Sequence, residues 1–323
     1  MEIAPFVPTE AGYRERVGLL KEAQPEEPWS LEGEKQADAV AAAAGRPADA
    51  CFARVGGEAV GFARAQADPD VPAAGRRRLW VVVARRARRQ GVGSALLEAV
   101  SRAAAAAGAT EWHVSTSLAE PDGRAFALAH GFREVEAEYE LHLDLESFED
   151  GARAAPRPIE SLASRQRRHP DWFERYYRLH TAVEGSVPWA LGYAVPNRED
   201  FRRRRVEPAE FLPEGTMIAV VGGEWVGLCE MWRCGDDLAT AYQELTGVLP
   251  GYRGQGLGTA LVAAAAAWAK RRGYRRLLTS TSTSNAAMQR TARRLGFIVA
   301  GRWSHLLGPV RRGGAPSGQE RHR

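Results

Sequence analysis

Two stretches of the chain carry β-favouring residues on either side of a Gly-Gly pair. They are CFARVGGEAVGFARA (51–65) and MIAVVGGEWVGLCEMW (217–232). Because paired glycines tolerate the positive φ angles of a tight turn, each stretch predicts a β-hairpin. Further along, LWVVV (79–83) and ELTGVL (244–249) predict short strands, and each runs into a basic loop that contains glycine.

An alanine- and leucine-rich segment with apolar residues at helical spacing follows each loop. The segments span residues 91–107 and 256–272, and each stops at a glycine, Gly108 or Gly273. A glycine just past the last apolar position is typical of a helix C-terminus. The sequence therefore predicts one helix after each basic loop.

Both halves then repeat a strand and a helix. EWHVSTS (111–117) and RLLTSTS (276–282) predict strands, and a further helix ends just before Gly131-Phe132 and Gly296-Phe297. The order in each half is strand hairpin, strand, helix, strand, helix, strand. This order predicts an α/β sandwich that is made twice.

The two halves are also similar in sequence. RRQGVGSALL (88–97) matches RGQGLGTALV (253–262), and the later glycine landmarks keep the separation of 165 residues that relates Gly91 to Gly256. The separation between the two Gly-Gly turns is one residue longer than this value. Because the period is far longer than that of solenoid repeats, the similarity predicts two copies of one domain.

Composition predicts where the two copies end. FEDGARAAPRP (148–158) interrupts the apolar pattern with acids, small residues and two prolines. We therefore expect an N-terminal domain over 1–150, a linker over 151–158 and a C-terminal domain over 159–307. The tail, 308–323, is rich in glycine, proline and arginine, and we expect it to be disordered.

The overall composition is that of an ordinary globular protein. The 323 residues favour two domains, and 45% hydrophobic with 26% charged residues excludes a mostly disordered chain. The longest apolar stretch, 260–269, is about half the length that a bilayer crossing requires, and the first ten residues do not resemble an export signal. We expect a cytoplasmic protein with no membrane partner.

Charge and metal-ligand residues narrow the function classes further. The net charge of +4 comes mostly from arginines, and the run Arg202–Arg205 favours a solvated helix face over a nucleic-acid or phosphate site. We therefore expect no nucleic-acid partner. Three cysteines and seven dispersed histidines match neither a disulfide framework nor a metal site, so we expect reduced thiols and no metal.

The basic loops combine a strand, the pattern Arg-x-x-Gly-x-Gly and a helix, at Arg88–Ser94 and Arg253–Thr259. A helix N-terminus carries unpaired N–H donors and the positive end of the macrodipole, and glycines there let a pyrophosphate approach the backbone. The pattern predicts an anion site. It lacks the Gly-Lys-Ser/Thr of a nucleotide-triphosphate loop and the third glycine of a dinucleotide fingerprint.

With this loop the sequence resembles the GCN5-related N-acetyltransferase (GNAT) superfamily, and in particular its bacterial tandem-domain members. The resemblance covers both halves, and in the second it extends over LTGVLPGYRGQGLG (245–258) and TSTSTSNAAMQRTARRLGF (279–297). It implies two tandem acyl-CoA N-acyltransferase folds, each a mixed, mostly antiparallel twisted sheet flanked by helices. It also implies acetyl-CoA as the co-substrate.

The resemblance implies where the co-substrate binds. In the second copy the residues are Val248, Arg253, Gly254, Gln255, Gly256, Leu257, Gly258, Thr259 and Asn285. The loop amides would take the pyrophosphate, the backbone near Val248 would pair with the pantetheine arm, and Asn285 would lie near the thiol end. Whether the first copy still binds it stays open; the corresponding residues are Val83, Arg88, Arg89, Gly91, Gly93 and Ser94.

A general base is needed because an alkyl amine is mostly protonated at neutral pH. Many family members place a carboxylate on the strand before the loop, which makes Glu244 the candidate base. Tyr242 shares its face on an unbulged strand and is a candidate to assist through water. The tyrosine that many members use to protonate the thiolate is replaced by Ala127 and Ala292, so that step has no assigned residue.

Aromatic residues early in the second half are candidates to line the pocket that binds the acetyl acceptor. Trp172, Tyr176, Tyr177 and Trp189 either line a substrate pocket or pack in the core. Glu184 and Glu230 are candidates to hold a cationic acceptor, but the sequence gives no ground for relying on either.

The resemblance implies an N-acetyltransferase that moves an acetyl group from acetyl-CoA to a primary amine, and we expect a small-molecule amine and direct attack in the C-terminal domain. The N-terminal domain keeps the fold and loses the chemistry. One alternative is a non-catalytic CoA-binding sensor or scaffold. Another is a GNAT enzyme with a different acyl donor or a protein amine as acceptor. The sequence does not indicate the oligomeric state.

Overall fold

The computed structural model describes residues 1–24, 29–43, 45, 48–67, 75–149, 158–188, 190–234 and 237–311. Two compact units divide the chain. Unit 1 comprises Met1–Ser115, Ala125–Glu134 and His305–Arg323, and unit 2 comprises Thr116–Arg124 and Val135–Ser304.

The first half of the sequence contains six strands and four helices among its described residues. They are β1 (Glu2–Pro5), α1 (Glu10–Ala23), α2 (Leu31–Ala43), β2 (Asp49–Val55), β3 (Glu58–Ala67), β4 (Arg76–Val83), α3 (Val92–Ala106), β5 (Glu111–Ser117), α4 (Pro121–Ala129) and β6 (Arg133–Asp144). In unit 1 the neighbouring strands follow the order β1-β2-β3-β4-β5. All these pairs are antiparallel except β4 with β5, which are parallel.

Among the described residues, the second half repeats this pattern with one additional helix before its hairpin. Its elements are β7 (Ile159–Ser161), α5 (Leu162–Arg168), α6 (Trp172–Glu184), α7 (Arg198–Arg205), β8 (Met217–Val221), β9 (Glu224–Cys234), β10 (Asp237–Val248), α8 (Leu257–Arg271), β11 (Arg276–Ser282), α9 (Ala286–Arg294) and β12 (Ile298–Pro309). In unit 2 the strand order is β6-β11-β10-β9-β8-β7. Only the pair β10–β11 among the described pairs of this unit is parallel.

The helix after each glycine loop packs its apolar face on the sheet. In unit 1, Leu96 and Val100 of α3 are buried in one cluster with Phe52, Phe62 and Trp112. In unit 2, α8 packs on the sheet in the same way. Leu261 and Ala265 of this helix are buried in one cluster with Met231 of β9, Ala241 of β10 and Leu277 of β11. The helix α6 covers the other face of this sheet with Tyr176 and Val183. The predicted mixed, mostly antiparallel α/β fold is confirmed.

The last strand of each unit comes from the other half of the sequence. Strand β6 lies before the expected linker, yet it pairs with β11 in unit 2, from Asp144 opposite Arg276 to Glu138 opposite Ser282. Its Leu141 and Leu143 are buried in the core of unit 2. Strand β12 belongs to unit 2 up to Ser304, and its remaining residues belong to unit 1.

The compact units therefore differ from the contiguous ranges 1–150 and 159–307 that composition suggests. The physical reason is that alternating apolar residues specify a strand but not its partner. Residues 308 and 309, expected in the disordered tail, are part of β12. Residues 150–157, which include most of the expected linker, and residues 312–323 lie outside the described residues.

The exchange of strands between the halves, in which β6 of the first half pairs in unit 2, predicts how fragments of the chain fold. Fragment 159–304 lacks β6, so it exposes the edge of β11 and loses two buried leucines, each worth roughly 2–5 kcal/mol when truncated. That loss is comparable to the whole stability of a domain. We expect fragment 131–304 to unfold cooperatively in a thermal melt followed by circular dichroism, and fragment 159–304 to be unfolded or aggregated. A cooperative melt of the shorter fragment would contradict the exchange.

Candidate active site

The parallel strands β10 and β11 separate in the middle of unit 2. They pair from Thr240–Arg276 to Gln243–Thr279, and no further pair joins them in the described chain. At the same point β10 has one more residue than β9, because Gln243 lies opposite Met231 but Thr246 lies opposite Cys229. This is a β-bulge. The expectation of an unbulged strand at Glu244 is therefore wrong.

A cavity of about 150 Å³ lies where the two strands separate. Its lining residues are Glu138, Val187, Gln243, Glu244, Leu245, Thr246, Thr279, Ser280, Thr281, Ser282, Asn285 and Met288. The sequence-predicted residues Glu244 and Asn285 thus meet at one cavity. Glu138 was missed, because the sequence does not show that β6 joins this sheet; the alternating acids of REVEAEYELHLD (133–144) were the available signal.

The separation leaves one edge of β10 open beyond the bulge. Leu249 donates its N–H to the Val226 carbonyl on β9. Because successive residues of a strand point to opposite edges, the backbone groups of Val248 and Thr246 face the edge that β11 has left. Arg253 Nε donates to the Val248 carbonyl at 2.9 Å, and Arg253 Nη2 donates to Ser186 Oγ at 2.6 Å. The structure therefore places Arg253 as a brace between the loop and the end of the strand.

The start of α8 offers backbone donors. Gly254 and Gly256 have φ angles of +78° and +79°, a conformation that favours glycine. The N–H groups of Leu257, Gly258 and Thr259 have no hydrogen-bond partner within the described part of the chain, as the first turn of a helix dictates. A Cβ at Gly258 would meet no atom within 4 Å. Packing within the protein therefore does not explain this glycine, and a ligand against the helix start would.

The corresponding helix start in unit 1 is covered. A Cβ at Gly93 would lie 3.0 Å from Cε2 of Phe126. His130 Nδ1 donates to the Phe126 carbonyl at 2.8 Å, which leaves His130 Nε2 to accept from Ser94 Oγ at 3.0 Å. Arg89, at the position of Gly254, has a φ of +62°. The remaining first-copy candidates keep the brace: Arg88 Nε donates to the Val83 carbonyl at 3.3 Å, and Gly91 keeps its positive φ.

Glu244 is paired with Arg205, the last residue of α7. The Arg205 side chain is 20% exposed and its guanidinium also lies 4.0 Å from Glu184. The expectation that the whole arginine run forms a solvated helix face is therefore wrong for Arg205. Helical periodicity turns this residue inward, while Arg202 and Arg203 stay exposed.

A buried polar cluster continues from this ion pair into the unit. His180 on α6 lies between two carboxylates, with Nδ1 3.2 Å from Glu184 and Nε2 3.3 Å from Glu230. The Tyr176 hydroxyl donates to Glu230, and both residues are fully buried. Burial raises the pKa of Tyr176 and of Glu184. Burial also disfavours the ionised Glu230, yet His180, Arg205 and Tyr176 together hold its pKa below the ordinary value.

Tyr242 is a neutral phenol at physiological pH. Burial, together with the charges of Glu244, Glu138 and Glu140, raises its pKa to about 12, although a hydrogen bond to Ser280 opposes the shift. The Tyr242 hydroxyl lies 3.5 Å from Ser280 Oγ, and Ser280 lines the cavity. At neutral pH this hydroxyl therefore carries its proton, and its raised pKa makes it a weaker acid than an ordinary tyrosine.

The other candidates have local roles. Asn285 is the N-cap of α9, and its side chain accepts from the Met288 N–H at 3.1 Å. Tyr176 and Tyr177 are core residues, and Trp172 packs against them partly exposed. Ala127 and Ala292 are buried and offer no proton donor. Trp189 lies outside the described residues.

The described residues contain neither a candidate metal site nor a helix that could span a membrane. In that part of the chain no group of three or more His, Cys, Asp or Glu residues could hold a metal ion. None of the helices described there is both long and apolar enough to span a bilayer. The three cysteines are free, and burial raises the pKa of Cys51 to about 11 and of Cys229 to about 12.

Two family models match the chain. The model described as the acetyltransferase (GNAT) family matches residues 171–297, and the model described as the acetyltransferase (GNAT) domain matches residues 47–134. The chain is also 28% identical over 255 residues to the mycothiol acetyltransferase of Cellulomonas flavigena, across 74% of this chain and 68% of that protein.

Solved structures of the same fold include two that extend over nearly the whole chain. A GCN5-related N-acetyltransferase from Sphaerobacter thermophilus is 18% identical with a TM-score of 0.71, and 98% of each chain is covered. A tandem GNAT protein from the clavulanic acid biosynthesis pathway, without AcCoA, is 21% identical with a TM-score of 0.69, covering 98% of this chain and 99% of that chain. At such identities the likeness shows the fold alone.

The raised pKa of Glu184 predicts a pH-dependent stability. A carboxyl whose pKa is higher in the folded state stabilises the fold at acidic pH and loses that contribution as pH rises above about 4.5, the usual value. We expect Glu184→Gln to raise the melting temperature at pH 8 relative to the native chain, and to change it little at pH 4.5. Thermal unfolding across this range measures the difference.

Glu174 is the matched control, because its pKa is shifted in the opposite direction to that of Glu184. Hydrogen bonds from Arg198 and Arg178 lower its pKa to about 2, so its contribution is present above about pH 4.5 and is lost as pH falls toward 2. Glu174→Gln should therefore lower the melting temperature at pH 8. Equal shifts in the two variants would contradict this assignment.

Proposed function

The chain belongs to the GNAT acetyltransferase family, with two domains of that family in tandem, and on this premise we propose that it acetylates the primary amine of a small molecule in unit 2, with acetyl-CoA as donor. The observation that carries the proposal is the cavity at the separation of β10 and β11. It adjoins an open strand edge and has Glu244 in its wall.

The residues of unit 2 fit acetyl-CoA. The three N–H groups at the start of α8, with open space at Gly258, would hold the pyrophosphate. The backbone of Thr246 and Val248 would pair with the pantetheine amides along the edge that β11 has left. Acetyl-CoA supplies the activated thioester, and the cavity would receive its acetyl end.

Glu244 is the base in this proposal. The acceptor ammonium transfers a proton to the Glu244 carboxylate, and the neutral nitrogen attacks the acetyl carbonyl carbon. The new C–N bond forms as the C–S bond breaks, and the thiolate of coenzyme A leaves. The nitrogen loses its second proton as the amide forms, and we propose that the neutral Tyr242 phenol and the Ser280 hydroxyl relay this proton to the thiolate, so that both hydroxyls are regenerated.

Unit 1 would not catalyse the same reaction. The strand β4 carries Arg77-Arg78-Leu79 where unit 2 has Tyr242-Gln243-Glu244, so it lacks a carboxylate at the position of the base. Phe126 and His130 cover the start of α3, where a pyrophosphate would bind. We propose that unit 1 keeps the fold for a structural reason: its chain continues after Glu134 directly into the part of β6 that belongs to unit 2.

A non-catalytic CoA-binding protein is the second candidate. The observation that favours it is the buried Ala292, which stands where many family members have an acidic tyrosine. The two candidates differ in turnover: an enzyme releases free coenzyme A when supplied with acetyl-CoA and an amine, and a sensor does not. The same assay with other acyl-CoA donors and with peptide amines tests the remaining alternatives.

Gly258→Ala tests the cofactor site. Alanine favours helices over glycine and has room at this position, so the fold should be unharmed. The added methyl group would occupy the space next to the helix N–H groups, and we expect acetyl-CoA affinity to fall roughly tenfold or more, a change of about 1.4 kcal/mol. Isothermal titration calorimetry measures it. Gly93→Ala is the matched control in unit 1, and an equal loss there would contradict the assignment.

Glu244→Gln tests the base. Glutamine keeps the size of the side chain but cannot take the proton, and removal of a general base costs roughly 100-fold or more in rate. We expect kcat to fall by that factor while the affinity for acetyl-CoA stays unchanged. Glu224→Gln, an exposed residue at the start of β9, is the control. An unchanged rate at every pH would remove Glu244 from the mechanism.

A further inference from the structure

The cavity of unit 2 is acidic although the protein is basic. Glu138 and Glu244 line it, and its lining, all within the described chain, includes no arginine, lysine or histidine. The whole chain has 44 basic and 40 acidic residues and a net charge of +4. A wall whose charge is opposite to that of the protein attracts a cationic ligand.

Glu138 reaches the cavity because of the strand exchange. It lies on β6 opposite Ser282, between Glu136 and Glu140 on the same face of the strand. Ser282 Oγ donates to Glu136 at 2.9 Å, and His142 Nε2 lies 2.9 Å from Glu140. Of these three carboxylates, Glu138 is the one in the cavity wall.

The structure behind the opposite wall also has an excess of negative charge. Three carboxylates, Glu184, Glu230 and Glu244, act on the single guanidinium of Arg205. Burial and then the charge of Glu184 raise the pKa of the Tyr193 hydroxyl, so this tyrosine stays neutral and adds no further negative charge. Arg205 and His180, which lies between Glu184 and Glu230, are at most two cationic groups facing these three carboxylates, and a cation in the cavity would be favoured by the remaining charge.

A second observation points to a ligand that donates hydrogen bonds. Gln243 is fully buried and lines the cavity. Its Nε2 donates to Thr279 Oγ1 at 3.4 Å, but its Oε1 has no hydrogen-bond partner in the described chain. A buried acceptor without a donor costs roughly 1–3 kcal/mol in general. An N–H group of a bound ligand would satisfy this oxygen.

We propose that the acceptor carries a second cationic group besides the amine that is acetylated, and that Glu138 binds this second group. The inference rests on the proposed function, because it concerns the acceptor side of the same cavity. Strand β11 lies between β6 and β10, so Glu138 and Glu244 project from backbones roughly 10 Å apart or more. The acceptor class is therefore an extended diamine or polyamine whose nitrogens are several bonds apart.

Glu138 already has an interaction within the chain, and a cationic acceptor has to compete with it. We therefore expect a moderate preference of about tenfold, near the lower end of what one hydrogen bond to a charged group contributes.

The test compares two probes of equal length with the full chain. They are 1,5-diaminopentane and 1-aminopentane, which differ in the second ammonium group. We expect the native chain to have a higher kcat/KM for the diamine, and Glu138→Gln to lower the ratio of the two values about tenfold. Glu146→Gln removes the same charge from an exposed turn and should leave the ratio unchanged. An unchanged ratio in Glu138→Gln, or a native preference for the monoamine, would overturn the inference.

A binding measurement separates this inference from the proposed function. The affinity of each probe for the complex of protein and coenzyme A is measured by calorimetry, which does not require turnover. If the diamine binds and Glu138→Gln weakens it about tenfold while neither amine is acetylated, the proposed function fails and the ligand class stands. If the diamine does not bind more tightly than the monoamine, the ligand class fails whatever the turnover.

The salt dependence of the affinity of the native chain for the two probes tests the inference without a variant. A dication that contacts Glu138 loses more affinity than a monocation as ionic strength rises from 0.01 to 0.15 M, because screening weakens each charge contact. An equal loss for both probes would overturn the inference even if Glu138→Gln failed to fold.

Discussion

The separation of β10 and β11 after Gln243 and Thr279 is the constraint on which the site depends. Two parallel strands that part leave backbone donors and acceptors without partners, and these groups need other hydrogen bonds. Arg253 satisfies the Val248 carbonyl, and Asn285 caps the helix that follows β11. What remains is an open strand edge, a cavity and the bulge that places Glu244 beside it. The proposed chemistry uses these features together.

The two units share one backbone arrangement but differ in the side chains around the helix start. Both keep a parallel pair that ends early, at Arg78–His113 in unit 1, and both start the next helix at a glycine with positive φ. The side chains differ: Phe126 covers the helix start in unit 1, whereas a Cβ at Gly258 would meet open space in unit 2. Backbone conservation between the copies therefore does not imply equal binding.

Local patterns in the sequence predicted most of the repeated elements. The strands expected at 111–117 and 276–282 have these bounds, and the helices after the loops begin one residue past Gly91 and Gly256. Hairpins, glycine turns and helix periodicity depend on neighbouring residues, which is why they are readable. The exchange of β6, the bulge at Glu244 and the inward turn of Arg205 depend on contacts between distant segments. Local patterns do not specify which distant segments pair, and Glu138 was missed for this reason.

Hydrogen–deuterium exchange of the full chain with and without acetyl-CoA tests the central claim most directly. The account predicts that the co-substrate slows exchange at the amides of residues 246–248 and 257–259, and leaves residues 92–94 at the corresponding helix start of unit 1 unchanged. Protection at residues 92–94 in place of these segments, or no protection in either unit, would contradict a donor site at the separation of β10 and β11.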